Sequence, residues 1–152
     1  MGVISKQATA EDVDVTELCD ALFAFVRDFG LHRTDETPCG VPMSVSEAQA
    51  LTALIDGPAT PSELAERLVL ARSTVSRLLE NLSRRGWTLR RPDPDDGRSS
   101  VVLLSASGRR MADRVLSSRH ERLSRLMTNI EQTARADVVH ALRLLAKAAR
   151  DD

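Results

Sequence analysis

Two groups of residues in this sequence carry side chains suited to gripping an anionic, hydrogen-bonding surface. The first is Ser73, Thr74, Arg77 and Arg84. Steps of 100° per residue over 73–85 gather Val75, Leu78, Leu79 and Leu82 on one side and put Ser73, Arg77, Glu80 and Arg84 on the other, with Thr74 at the edge. On a helix laid in a DNA major groove, such an arginine can make a bidentate bond to guanine O6 and N7, and a hydroxyl can bond a base or a phosphate. The second group lies in Arg90-Arg91-Pro92-Asp93-Pro94-Asp95-Asp96-Gly97-Arg98. Arg90 and Arg91 are placed to neutralise phosphate, and Arg98, at the loop's end, to enter the minor groove. Asp96, two residues before Arg98, is placed to hold that guanidinium extended and so reduce the entropy lost on insertion. Asp96-Gly97 is also a plain hairpin-turn signal, and Asp93 and Asp95 read as turn residues.

The elements that must position these groups follow from periodicity and caps. Leu18, Leu22, Phe25 and Phe29 recur at steps of four, three and four, which predicts a first helix over Asp12 to Phe29. Pro38, Gly40 and Pro42 make 34–43 a loop. Ser44-Val45-Ser46-Glu47 has the form of a capping box and opens a helix to about Ile55, ended by Asp56-Gly57-Pro58. Thr60-Pro61-Ser62-Glu63 opens another, with Ser62 in its first turn. A helix from Ser73 to the stop at Gly86 follows closely, so the pair forms a helix-turn-helix candidate. The runs 87–91 and 99–104 are β-prone around the Pro and Asp loop and predict a hairpin. Helical pattern resumes at Ser107-Gly108 and runs to Ile130, and a last helix spans roughly Thr133 to Ala149. The serines of Ser105-Ala106-Ser107-Gly108 and of Arg72-Ser73-Thr74 read as helix caps.

Charge distribution supports an anionic partner where the total does not. The formal net charge is −1, yet residues 71–110 hold nine arginines against four acids, which leaves the rest of the chain acidic. With no Tyr, one Trp and three Phe, the core must be aliphatic. Apolar runs are too short to span a bilayer and the N-terminus lacks a secretion signal, so a cytoplasmic protein with no membrane partner is expected. Cys19 and Cys39 are too few for a disulfide scaffold, and His32, His120 and His140 are scattered, so neither metal nor cofactor is expected. No Gly-rich phosphate loop or nucleophile-base spacing supports an enzyme. The rival from another class is a winged-helix protein-interaction module whose basic face meets an acidic protein.

Three stretches carry a family resemblance: Pro61-Ser62-Glu63-Leu64-Ala65-Glu66-Arg67-Leu68; Arg72-Ser73-Thr74-Val75-Ser76-Arg77-Leu78-Leu79-Glu80-Asn81-Leu82 with Arg84-Arg85-Gly86; and Asp93-Pro94-Asp95-Asp96-Gly97-Arg98-Ser99 leading to Leu104-Ser105-Ala106-Ser107-Gly108. In these and in element order the chain resembles the multiple antibiotic resistance regulators, the MarR family of winged-helix repressors. The resemblance implies a mainly α fold, a winged helix-turn-helix with a β-hairpin wing plus N- and C-terminal helices that form a dimerisation domain. The divisions are 1–43 for the first dimerisation helix and loop, 44–106 for the DNA-binding domain and 107–152 for the helices that complete the dimer. It implies a homodimer on pseudo-palindromic double-stranded DNA, released by a small ligand, an aromatic or phenolic compound being the class expected. Ser62, Arg72, Ser73, Thr74, Arg77, Arg84, Arg90, Arg91 and Arg98 are then the DNA-binding set, with Asp96 orienting the wing. Leu18, Leu22, Leu142 and Leu145 are the dimerisation candidates, because the first and last helices have apolar stripes too generous for one small domain to cover; packing within one chain is the alternative. One branch of the family senses hydroperoxides through a helix 1 cysteine, and Leu18-Cys19-Asp20-Ala21-Leu22-Phe23 resembles that segment. Those sensors also use tyrosines, which this chain lacks, and Cys19 lies beside a core stripe where a free cysteine is usually buried.

Overall fold

The computed structural model describes residues 14–151. The order is α1 (Val15–Phe29), α2 (Val45–Ala53), α3 (Pro61–Leu68), α4 (Arg72–Arg84), β1 (Thr88–Pro92), β2 (Ser100–Leu104), α5 (Ala106–Thr128) and α6 (Arg135–Asp151), the last preceded by a 3₁₀ turn at Gln132–Ala134. The fold is mainly α with one antiparallel hairpin, as expected. Asp12, the predicted start of the first helix, lies outside the described residues; Asp14 caps α1 by accepting from the Thr16 amide at 2.9 Å.

Both predicted capping boxes form. Ser44 Oγ accepts from the Glu47 amide at 3.1 Å while Glu47 accepts from the Ser44 amide at 2.9 Å. Thr60 and Glu63 repeat the exchange at 3.2 and 2.7 Å. Each pair satisfies two amides that the first turn leaves without partners. Helix α2 stops at Ala53 rather than Ile55, because the Leu54 and Ile55 amides already turn back to the carbonyls of Leu51 and Thr52.

Helix α3 ends on Val69 in the left-handed conformation, φ 53°, which lets the chain turn within Val69–Ala71 and start α4. That turn makes Ala71 the cap of α4, with no side-chain bond. The reading of Arg72-Ser73-Thr74 as a cap is therefore corrected: Ser73 is the second helical residue, and its exposed hydroxyl caps nothing. Ser105 does cap α5, accepting from the Gly108 amide at 3.0 Å.

The hairpin pairs Thr88 with Leu104 through to Pro92 with Ser100. Pairing starts one residue later than predicted because the Trp87 amide closes the end of α4 on the Leu82 carbonyl, at 2.9 Å. Ala59 adds an isolated bridge to Val102, with N–H to O=C distances of 3.0 and 2.8 Å, and so ties the α2–α3 connection to the wing.

The core is aliphatic. Leu51 and Leu54, Leu64, Val75, Leu79 and Leu82, Val102, and Ala112 and Val115 pack together from α2, α3, α4, β2 and α5. Helix α5 is thus shared, its first turns in this core and the rest running beyond it. Helices α1 and α6 hold no buried residue. Among the described residues Leu18, Leu22, Leu142 and Leu145 are left 43, 49, 53 and 41% exposed.

Candidate nucleic-acid interface

Helix α4 sits on the core through Val75, Leu78, Leu79 and Leu82, which fixes the opposite face outward. Arg72, Ser73, Thr74, Arg77 and Arg84 are all exposed there, and Ser62 is half-buried in the first turn of α3. Arg90, Arg91 and Arg98 are exposed on the hairpin that follows directly. Among the described residues, no ion pair or side-chain hydrogen bond engages the guanidinium groups of Arg72, Arg77, Arg90, Arg91 or Arg98; the ion pairs present are those of Arg27 with Asp28 and of Arg33 with Asp35 and Glu36. Cations without a protein partner gain from an anion placed beside them.

The other arginines of the basic block divide by partner. Arg84 bonds the side chain of Asn81 one turn back. Arg85 donates to the Pro42 carbonyl at 3.1 Å and stacks over Trp87 with its guanidinium carbon 4.9 Å from the ring centroid. Arg109 donates to the Ile55 carbonyl at 3.0 Å. Arg85 and Arg109 count toward the charge of the basic block, and both brace the fold through these carbonyls.

The acidic wing tip answers to a different geometry from the one expected of it. Asp96 accepts from the backbone amide of Arg98 at 3.0 Å and does not pair with its guanidinium. It shapes the turn that presents Arg98 and leaves the side chain free, which corrects the expected extended pose. Asp93 takes the Asp95 amide at 3.0 Å and the Ser99 hydroxyl at 2.9 Å, closing the loop across its neck. The Asp95 amide, and after it the Ser99 hydroxyl, hold the Asp93 carboxyl below the usual carboxylate range. Glu63 is lowered in the same way, first by the Thr60 amide of its capping box.

A cavity of about 190 Å³, unmarked by any periodic signal, lies between the end of α1, the 30–44 loop, α2 and α5. Phe29, Leu31, Val45 and Val115 make its walls apolar, and Cys39, Arg119 and Arg122 also line it. Arg122 lies over Phe29 at 5.6 Å, and its buried Nε has no hydrogen-bond partner. The i,i+3 spacing of Arg119 and Arg122 was visible, but the opposing wall is an irregular loop without a periodic signal. Cys19, expected to be buried, is exposed on α1; Cys39 is the half-buried thiol. Among the described residues no cluster of three or more His, Cys, Asp or Glu could hold a metal ion.

A short α3–α4 turn, a recognition-type helix with a polar outer face and a hairpin directly behind it together define a winged helix-turn-helix protein. Residues 41–99, about two fifths of the chain, match the model of the MarR family. An uncharacterized HTH-type transcriptional regulator of Mycobacterium leprae is 37% identical over 89 residues, which are 57% of this chain and 62% of that protein. The chain thus spans less than two thirds of that relative's length. The structure of Streptococcus pneumoniae FabT in complex with DNA has a TM-score of 0.74 at 19% identity, covering 91% of this chain and 99% of FabT. PcaV of Streptomyces coelicolor, solved with its natural ligand, gives 0.69 at 24% identity, with 93% and 99% covered. At such identities the likeness is one of fold, and it spans α1 and α6 as well as the winged segment.

Proposed function

We propose that the protein is a sequence-specific DNA-binding transcription regulator, a repressor that works as a homodimer on a pseudo-palindromic operator. The observation that carries this reading is the set of exposed, unpaired arginines on α4 and the wing. Arg77, Ser73 and Thr74 read bases, Arg72, Arg84, Arg90 and Arg91 hold phosphates or flanking bases, Ser62 bonds the backbone and Arg98 probes the minor groove. FabT, whose complex with DNA shares this fold, supports the choice of partner.

The dimer is supported by the apolar faces of α1 and α6, where Leu22 and Leu142 stand about half exposed in the single chain. Residues 1–43 and 107–152 then form the dimerisation part and 44–106 the DNA-binding part. The cavity supports release by a small ligand: apolar walls with two guanidiniums suit a flat aromatic or phenolic compound bearing a negative charge. A cytoplasmic site of action goes with this reading, and no described helix is long and apolar enough to cross a membrane.

Selection from a pool of random duplexes, with sedimentation equilibrium in parallel, tests the reading. A two-fold symmetric motif recovered by a dimer is expected. A monomer, or a pool with no enriched motif, would contradict it, and capture of an acidic protein instead would favour an interaction module.

A further inference from the structure

Arg85 belongs by sequence to the run of basic residues that ends the recognition helix, yet its guanidinium is turned away to the loop that walls the cavity. That loop is internally braced. The Val41 amide donates to Thr37 Oγ1 at 3.0 Å, the Thr37 amide donates to the Val41 carbonyl at 2.9 Å, and the Gly40 amide donates to the Thr37 carbonyl at 2.9 Å. Cys39 sits inside this ring, its Sγ 3.0 Å from Thr37 Oγ1, and lines the cavity. Displacing Cys39 therefore disturbs the hydroxyl that holds Val41, the residue before Pro42. The Pro42 carbonyl is the one that Arg85 grips, at 3.1 Å.

The other end of the contact is as well fixed. Arg85 lies over Trp87, and the Trp87 backbone joins three elements: its amide closes α4 on the Leu82 carbonyl at 2.9 Å, its carbonyl accepts the Ser105 amide at 3.0 Å at the start of α5, and β1 begins at the next residue. A charge-assisted hydrogen bond and a cation–π contact share one planar group, which lysine cannot reproduce in both geometries.

We propose that Arg85 is a positioning residue, not a DNA contact: through Pro42 and Trp87 it ties the cavity loop to the root of the wing, so that filling the cavity changes the pose of the wing. The proposal rests on the DNA-binding reading for its consequence but not for its geometry. It needs no knowledge of the natural ligand, because Cys39 offers a handle inside the cavity. Trp87, the single tryptophan of the chain, reports from the far end.

The test uses the full chain with Cys19→Ser, so that Cys39 is the one thiol left. Iodoacetamide alkylates it: the S–C bond forms, iodide leaves, the thiol proton passes to solvent, and a neutral group enters the cavity. Mass spectrometry confirms one adduct, and affinity for the selected duplex and Trp87 emission are read before and after. Alkylation should lower affinity about fivefold or more and shift the emission, while in Arg85→Ala the affinity change should fall below about twofold and the emission shift should vanish, with Arg85→Lys in between. Unmodified Arg85→Ala should bind the duplex within about threefold of the parent, since a surface cation away from the DNA adds little. The proposal is overturned if Arg85→Ala responds like the parent, if the alkylated parent keeps both its affinity and its emission, or if Cys39 does not react in the folded protein. If the unmodified parent fails to bind any duplex at low salt, the DNA reading has failed, and the Trp87 response with and without Arg85 still decides the coupling.

Discussion

Replacing Gly108 by alanine separates what helix propensity says from what the packing says. Gly108 lies in the first turn of a 23-residue helix, where an alanine ordinarily gains about 1 kcal/mol. A Cβ at this position, however, would stand 1.8 Å from the Trp87 carbonyl oxygen and 2.8 Å from its carbon. An acceptable C···O contact is about 3.3 Å, so α5 would have to retreat by roughly 1.5 Å. Such a shift breaks the seam that joins helix to wing: Ser105 Oγ and Ser107 Oγ donate to the Gly86 carbonyl at 2.6 and 2.8 Å, and the Ser105 amide donates to the Trp87 carbonyl at 3.0 Å. Loss of three such bonds costs about 3 kcal/mol and residual overpacking about 1 to 2 more, against the gain of about 1, for a net destabilisation of about 3 to 4 kcal/mol. That is a large part of a stability of about 5 to 15 kcal/mol, and corresponds to a fall in Tm of about 10 °C for a chain of this size. Thermal and urea unfolding measure it. A Gly108→Ala variant as stable as the parent would refute the reasoning, because propensity would then have outweighed a backbone clash.

Three further outcomes are expected. Val69, at φ 53° and 81% exposed, holds a strained conformation with little burial to lose, so Val69→Gly should raise stability by about 0.5 to 1 kcal/mol in urea unfolding; a loss of similar size would show that Val69 packs against a partner. Because the folded Asp93 carboxyl titrates below its ordinary 3.8, its ordering of the wing should be fully present above that pH and disappear as pH falls through the lower folded value. Hydrogen exchange at the Asp95 amide should show that loss in the parent and no such acid limb in Asp93→Asn, and a limb near neutrality would be contrary. Arg98→Ala should weaken binding to all duplexes alike, whereas Arg77→Ala should relax preference at one base pair by about 1 to 3 kcal/mol, read by competition between operator variants; unchanged profiles for both would remove these roles.

Where sequence and structure agreed, a local signal had a local cause. The two capping boxes, the apolar face of α4 and the hairpin are each decided within a few residues, and all were legible. Disagreement arose where a distant contact decided. Ser73 missed the cap position because a left-handed Val69 shortened the turn before it, and valine carries no warning of that conformation. Asp96 bonds an amide instead of a guanidinium because the two-residue separation suits a turn closed on the backbone. Arg85 and Arg109, counted in the basic block, bond the carbonyls of Pro42 and Ile55, 43 and 54 residues away in the chain. The cavity was invisible for the same reason, since one of its walls is the irregular 30–44 loop. The apolar stripes of α1 and α6 were legible, but Cys19 was assigned to a core that the single chain does not build around it.

The central claim is that the unpaired arginines of α4 and the wing grip duplex DNA in a sequence-dependent way. Fluorescence anisotropy on a labelled duplex from upstream of the protein's own gene, against a scrambled duplex at two salt concentrations, tests it most directly. Binding to the natural duplex should be at least about a thousandfold tighter than to the scrambled one, with both weakening as salt displaces the phosphate contacts. Equal affinity for the two duplexes, or no binding to either at low salt, would contradict it.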